Sequence, residues 1–232
     1  MIIKEAVTLA AEELAPKGAE LIAEVLPNLT GKAEAVVGGA RPALTAADSA
    51  LPKIGIHSFG EYAPYESNAA NTKFMDELFR DSSKHEFLLP QWSGGSTKFV
   101  DQWRYGVAPL SAPLETNGIY ACTGLSVADR SSGLHYLAHI DGDTSVADIV
   151  RSVSKFNFGE SSVRVLPGPQ FFNEVPQYAR GSRINVEKTL NALQQIPNGL
   201  KDFKFLHSTE PGDYYSVVSH EGRLYRGAPT PY

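Results

Sequence analysis

The chain has 232 residues, of which 42% are hydrophobic and 10% aromatic, and its formal net charge is −5. This is enough apolar sequence for one folded domain of moderate size with an appendage. Its basic residues form no run and no apolar stretch reaches about 18 residues, so we expect neither a nucleic-acid partner nor a membrane span. The single cysteine excludes an internal disulfide framework and zinc sites built from several thiolates.

Residues 1–50 differ in composition from the rest of the chain, because they are rich in alanine and glutamate and contain no aromatic residue. We interpret them as a helical or disordered arm, interrupted near residues 16–18 and followed by a Gly/Ala/Pro linker. The first residues lack a basic segment followed by an apolar one, so no secretory signal is predicted. We expect a cytoplasmic fold, and export or translocation into a host cell stays open.

Residues 51–232 have regularly spaced aromatic and apolar residues and are predicted to form the folded, catalytic domain. Helical or strand periodicity is visible in several segments. The predicted helices cover residues 67–80, 146–153 and 186–196, and the predicted strands outside the central hairpin cover residues 162–166, 203–206, 214–219 and 223–226. Helices interspersed among hairpin strands predict an α/β layered sandwich of mostly antiparallel or mixed sheets, with helices packed on the outer faces.

The centre of this domain is a predicted β-hairpin. Residues 123–128 and 134–140 are two strand-length runs, and the five residues between them are mostly turn-formers. A turn centred between residues 130 and 131 places Cys122 directly opposite His139, with Cβ atoms about 4.5–5.5 Å apart. A thiol and an imidazole would then face each other.

The same register places Ser126 opposite His135, and alternation puts His135 on the face that carries Cys122 and His139. This face is polar, whereas the opposite face is apolar and suited to burial. A one-thiolate, two-imidazole zinc site formed by Cys122, His135 and His139 is therefore an alternative to a catalytic pair.

A cysteine is a nucleophile only as the thiolate, so it requires a base or a positive charge beside it. His139 would supply the base in the predicted register. The segment 114–118, just upstream of Cys122, could loop back to offer a hydroxyl, an amide or a backbone donor. The alternative is that Cys122 is a small buried hydrophobe and His139 an ordinary strand histidine.

The interval of 17 residues between Cys122 and His139, within a Gly-containing strand-turn-strand, resembles the cysteine-histidine protein amidohydrolases. That superfamily includes the chemoreceptor glutamine deamidase, the catalytic domain of cytotoxic necrotizing factor, and the protein N-terminal asparagine amidohydrolase. The continuation Ile-Asp-Gly-Asp-Thr after His139 and an apolar helix also resemble the asparagine amidohydrolase. Thr116, six residues before the cysteine, corresponds to a threonine of the chemotaxis enzymes, and the resemblance covers residues 114–168.

This resemblance implies hydrolysis of a carboxamide without a cofactor or a metal. Cys122 would attack the amide carbon and form a thioester, His139 would be the base, and Thr116 would hold the imidazole. The expected function is a protein-glutamine deamidase, a bacterial toxin or effector acting on a host regulatory protein that presents a Gln (or Asn) side chain. Two alternatives are an N-terminal asparagine amidohydrolase and an inactive binding module of the same fold, the latter because Tyr120 and Ala121 precede the cysteine where those families usually have small or hydroxyl residues.

Overall fold

The computed structural model describes residues 53–60, 62–208 and 215–228. The arm predicted over residues 1–50 lies outside the described residues. No helix in the described part of the chain is long and apolar enough to cross a membrane.

Two mixed β-sheets form the framework. The strands are β1 (Gly55–Ser58), β2 (His85–Phe87), β3 (Leu89–Gln91), β4 (Lys98–Phe99), β5 (Arg104–Pro109), β6 (Leu114–Ile119), β7 (Thr123–Asp129), β8 (Leu134–Ile140), β9 (Ser161–Pro167), β10 (Phe203–His207), β11 (Tyr215–His220) and β12 (Arg223–Arg226). The larger sheet has the order β1-β5-β8-β7-β9-β10-β2 and the smaller one β3-β12-β11-β6-β4. The predicted hairpin, β7 and β8, therefore lies in the middle of the larger sheet.

The α-helices of the described residues are α1 (Ala69–Arg80), α2 (Val146–Val153) and α3 (Pro176–Gln194). Each helix begins with residues that are favoured at helix N-termini. The side chains of Asn68 and Ser145 accept hydrogen bonds from the backbone at the starts of α1 and α2, and α3 begins with a proline. The third helix is longer than its predicted apolar stripe because ten residues, most of them polar or small, precede Val186 in it.

The helices and the smaller sheet cover opposite faces of the larger sheet. On one face, Leu125, Val127 and Tyr136 pack with Ile149 of α2 and Leu190 of α3. On the other face, apolar side chains of the larger sheet pack against those of the smaller one in two clusters, one that includes Leu137 and Leu114 and one that includes Leu166 and Val217. The layers are helix, sheet, sheet, which confirms the predicted α/β sandwich, with the helices described lying on one outer face.

The hairpin forms, but its predicted register is wrong. Thr123 pairs with Ile140, so the residue opposite His139 is Gly124 and not Cys122. Ser126, predicted opposite His135, lies opposite Leu137 instead. The closing pair is Asp129 with Leu134, which leaves four residues in the turn.

The turn explains this difference of two residues. The carboxylate of Asp129 accepts hydrogen bonds from the backbone N–H groups of Ser131 (2.9 Å) and Ser132 (3.3 Å), which holds the chain in a tight loop. Gly133 then adopts a left-handed conformation with φ of 69°, a conformation that glycine enters without steric cost. Because the shift is an even number, the residues of each strand keep their predicted face.

Candidate active site

The shared face of the hairpin is closed by β6 of the smaller sheet, which brings Thr116 to His139. The Thr116 Oγ1 lies 3.0 Å from the His139 Nδ1, and both side chains are buried. The segment 114–118, predicted as a loop that turns back, is this strand. The other ring nitrogen, Nε2, is buried and has no hydrogen-bond partner among the described residues. The site thus contains one oriented imidazole with one unpaired nitrogen.

His139 is a neutral imidazole at neutral pH. Burial lowers its pKa to about 4, while the carboxylates of Asp141 and Asp101 act in the opposite direction. In the tautomer that carries the proton on Nδ1, this N–H donates to Thr116 and Nε2 has a free lone pair. This is the protonation state that a general base requires.

Cys122 immediately precedes β7 and is partly exposed. It packs against the apolar cluster between the sheets, beside residues such as Ile119 and Leu166. Burial, together with the negative charge of Asp141, raises the pKa of the thiol to about 11, whereas Lys188 acts in the opposite direction. At neutral pH the group is therefore a thiol, and within the described residues no hydrogen bond joins it to His139.

The peptide segment that carries Cys122 is held from two sides. From one side, the Cys122 carbonyl accepts from the Gly168 N–H at 3.1 Å, and the Tyr120 carbonyl accepts from the Gln170 N–H at 3.3 Å. The approach is so close that a Cβ on residue 168 would clash with the Tyr120 carbonyl and lie 2.8 Å from the Cys122 oxygen. Only glycine fits at this position.

From the other side, helix α3 contributes polar side chains that the sequence did not indicate as site residues. The Asn185 Nδ2 donates to the Ala121 carbonyl at 3.0 Å, and its Oδ1 is buried without a partner. Lys188, one helical turn further, is fully buried. The sequence signal for both is weak, since Asn and Lys are usually exposed on an amphipathic helix.

His135 lies on the same face but performs a structural role. Its Nδ1 lies 2.7 Å from the Ser219 hydroxyl and its Nε2 lies 2.8 Å from the Ala112 carbonyl, so both ring nitrogens are engaged. Within the described part of the chain, no three His, Cys, Asp or Glu side chains are grouped so as to hold a metal ion. The alternative zinc site of Cys122, His135 and His139 is therefore wrong.

Comparison with known proteins adds little to this description. No protein-family model matches the chain, and no curated protein matches it. Among solved structures, the Bacillus licheniformis hypothetical protein YfiH matches with 13% sequence identity and a TM-score of 0.31, over 59% of this chain and 68% of that one. A similarity of this size carries no argument about fold or function.

Proposed function

We propose that the protein is a cysteine-dependent amidohydrolase that deamidates a glutamine side chain of a protein substrate. The observation that carries the proposal is the 3.0 Å contact between Thr116 and His139, which leaves Nε2 as an unpaired, buried base on the hairpin face that also carries Cys122. An oriented base and a free thiol on one face are the two groups that nucleophilic attack on an amide carbon uses.

In the proposed reaction, the His139 Nε2 accepts the proton of the Cys122 thiol as the sulfur attacks the amide carbon. The C–N bond of the tetrahedral intermediate then breaks, the imidazolium gives the proton to the leaving nitrogen, and ammonia departs from a thioester. Water, activated by the same imidazole, hydrolyses the thioester to a glutamate side chain and restores the thiol. The backbone N–H of Cys122 is the proposed donor to the oxyanion.

The raised pKa of Cys122 determines which form of this mechanism applies. A thiol with a pKa of about 11 and an imidazole with a pKa of about 4 do not form a thiolate–imidazolium pair before the substrate arrives. Proton transfer therefore accompanies attack, as it does when a hydroxyl nucleophile is activated by a neighbouring base. The threonine contact favours this sequence because it stabilises the imidazolium that forms.

Incubation with glutamine-containing protein substrates tests the proposal, with amide-to-acid conversion read by mass spectrometry and ammonia release measured in parallel. We expect Cys122→Ala and His139→Gln to abolish conversion. His57→Gln, which removes an exposed histidine outside the site, is the matched control and should retain it. Conversion that persists in Cys122→Ala would refute the assigned nucleophile.

Peptides with a free N-terminal asparagine distinguish the related N-terminal asparagine amidohydrolase, because a deamidase of internal glutamines should leave them unchanged.

We further propose that the substrate is a regulatory protein of a host cell, which would make the protein a translocated toxin or effector. The support for this part is the family resemblance and the compositionally distinct arm of residues 1–50. Treatment of a eukaryotic lysate, followed by a search for glutamine-to-glutamate changes absent after treatment with Cys122→Ala, tests it. The absence of any such site-specific change would contradict the proposal.

A binding module without catalytic activity is the second candidate, and one observation favours it. The thiol has a raised pKa and, in the described structure, no hydrogen bond to His139. In that case Cys122→Ala would leave affinity for the partner protein unchanged, and no substrate would be converted at any pH. Turnover that depends on Cys122 would eliminate this candidate.

A further inference from the structure

Lys188 is a buried cation at the end of the hairpin that carries the candidate nucleophile. Its side chain is fully buried, and its ammonium group donates to the backbone carbonyls of Asp141 and Gly142, the latter at 3.1 Å. Neither of these partners carries a charge. Within the described residues, Lys188 has no carboxylate at ion-pair distance, although burial of an ammonium without an anionic partner is costly.

The position of this ammonium follows from the end of the hairpin. The last pair of the β7–β8 ladder is Thr123 with Ile140, so Cys122 and Asp141 are the next residues on either strand. Lys188 binds the Asp141 carbonyl, and Asn185, one helical turn earlier, binds the carbonyl of Ala121. Helix α3 therefore holds the chain on both sides of the open end of the hairpin, where the thiol lies.

The charges around Lys188 keep it protonated at neutral pH. Burial lowers its pKa to about 8, and the negative charges of Asp141, Asp143 and an ionised Cys122 act in the opposite direction. The same coupling acts on the thiol, because burial and Asp141 raise the pKa of Cys122 whereas Lys188 lowers it. Reciprocal coupling of this kind is required of two interacting charges.

The carboxylate of Asp141 is already engaged by other groups. Asp141 accepts hydrogen bonds from the Gln102 amide (3.0 Å), the Asp143 N–H (3.0 Å) and the Thr144 hydroxyl (3.2 Å). A negative charge directly at the sulfur exists only when Cys122 loses its proton. Lys188 thus has a counterion that forms during the reaction and is absent from the resting protein.

We propose that Lys188 is a positioning residue that stabilises the negative charge developing on Cys122 as the thiol proton passes to the His139 Nε2. It also anchors the chain that follows β8 through the Asp141 and Gly142 carbonyls, which keeps the strand of His139 in place. Lys188 exchanges no proton in this step. The catalytic meaning of this inference rests on the proposed function, whereas the coupling between Lys188 and Cys122 does not.

The first test is the pH dependence of Cys122 alkylation by iodoacetamide. At pH 7, where Lys188 is protonated and stabilises the thiolate, we expect Lys188→Met to slow alkylation about tenfold, and the effect should diminish above the Lys188 pKa of about 8. Lys188→Arg keeps the charge and should stay within about threefold of the wild type. Lys73→Met, which removes an exposed lysine, should leave the profile unchanged. A folded Lys188→Met protein with the wild-type profile would overturn the proposal.

The second test keeps Lys188 in the measured protein. It therefore tests the coupling between Lys188 and Cys122 even if Lys188→Met does not fold. Alkylation of Cys122 with iodoacetate attaches a carboxylate to the sulfur, and alkylation with iodoacetamide attaches a neutral amide of similar size. We expect the carboxylate to raise the Lys188 pKa by about one unit relative to the amide, because opposite charges stabilise each other. The titration is followed by NMR of labelled lysine and assigned with Lys188→Arg. Equal midpoints would overturn the inference.

Neither test depends on turnover, so its result is separate from that of the proposed function. If Lys188 and Cys122 are coupled but no substrate is deamidated, the proposed enzymatic function is rejected and the charge pair is retained. If a substrate is deamidated but no coupling is found, the enzymatic function is retained and the proposed role of Lys188 is rejected. Where both hold, Lys188→Met should lower kcat about tenfold or more and leave KM nearly unchanged, as expected for a charge that acts only during the reaction.

Discussion

The hydroxyl of Thr116, on the smaller sheet, lies 3.0 Å from the Nδ1 of His139, on the larger sheet. This contact crosses the sandwich and fixes which imidazole nitrogen is left for chemistry. It also links the orientation of the base to the packing of the two sheets. The candidate site is therefore a product of the layered fold and is not contained in the hairpin alone.

We expect Thr116→Val to lower kcat about 10- to 100-fold, because the imidazole loses the group that orients it and stabilises its protonated form. Stability should fall by about 1–3 kcal/mol, since Nδ1 becomes a buried, unpaired polar atom. Steady-state kinetics and urea denaturation measure the two effects. Thr116→Ser retains the hydroxyl and should recover most of the rate. Full turnover in a folded Thr116→Val protein would contradict the assignment.

The close approach at Gly168 makes a second prediction. A Cβ at this position would clash with the Tyr120 carbonyl, so Gly168→Ala must displace the segment that carries Cys122. We expect a loss of about 1–3 kcal/mol in the free energy of unfolding and a lower kcat. Gly181→Ala is the matched control, because nothing lies within 4 Å of a Cβ at residue 181. Equal stability and activity of the two variants would show that the segment adapts without cost.

Two buried histidines predict a loss of stability in acid. Burial lowers the pKa of both His135 and His139 to about 4 from an ordinary value of 6.5. Between these values the unfolded chain binds protons that the folded protein does not, so stability is complete above pH 6.5 and falls progressively as the pH decreases towards 4. The loss should reach up to about 3 kcal/mol for each histidine.

Urea denaturation at a series of pH values measures this loss. The variant His135→Gln should be less stable than the wild type at neutral pH, since Ser219 and Ala112 lose their histidine partner. Its stability should nevertheless decrease less steeply in acid, because one titrating group has been removed. An unchanged slope would assign the acid sensitivity to other groups.

The thiol of Cys122 should react slowly at neutral pH. With a pKa of about 11, its thiolate fraction at pH 7.5 is about 100-fold below that of an unperturbed cysteine. Iodoacetamide alkylation of the native protein should therefore be slower than that of a short cysteine peptide and should rise about tenfold per pH unit up to pH 10. The same protein unfolded in urea is the control. A midpoint below the ordinary range would contradict the burial of the sulfur.

Several parts of this arrangement are readable from local sequence. The alternation of apolar residues in Thr123–Asp129 and Leu134–Ile140 predicts two strands, and the turn-formers between them predict the hairpin. The helices after residues 68 and 145 are predicted by their apolar stripes. These features depend on the nearest few residues, so a sequence shows them directly.

The register of the β7–β8 hairpin is harder to predict from sequence, because it depends on the conformation of the turn. Four residues separate Asp129 from Leu134, and the side chain of Asp129 together with the left-handed Gly133 accounts for that length. The predicted pairing of Cys122 with His139 was wrong by two residues for this reason. A shift of two does not change the alternation of side chains, so the residues of β7 and β8 keep their predicted faces.

Local sequence predicts that Cys122 and His139 lie on one face of a hairpin, because side-chain alternation along a strand is a local property. The groups that surround them come from distant parts of the chain. Thr116 reaches the imidazole from the other sheet. From helix α3, Asn185 binds the carbonyl of Ala121, 64 residues earlier, and Lys188 binds the carbonyl of Asp141, 47 residues earlier. Contacts between distant segments depend on the packing of whole layers, and no local pattern of residues encodes which polar side chain a layer will enclose.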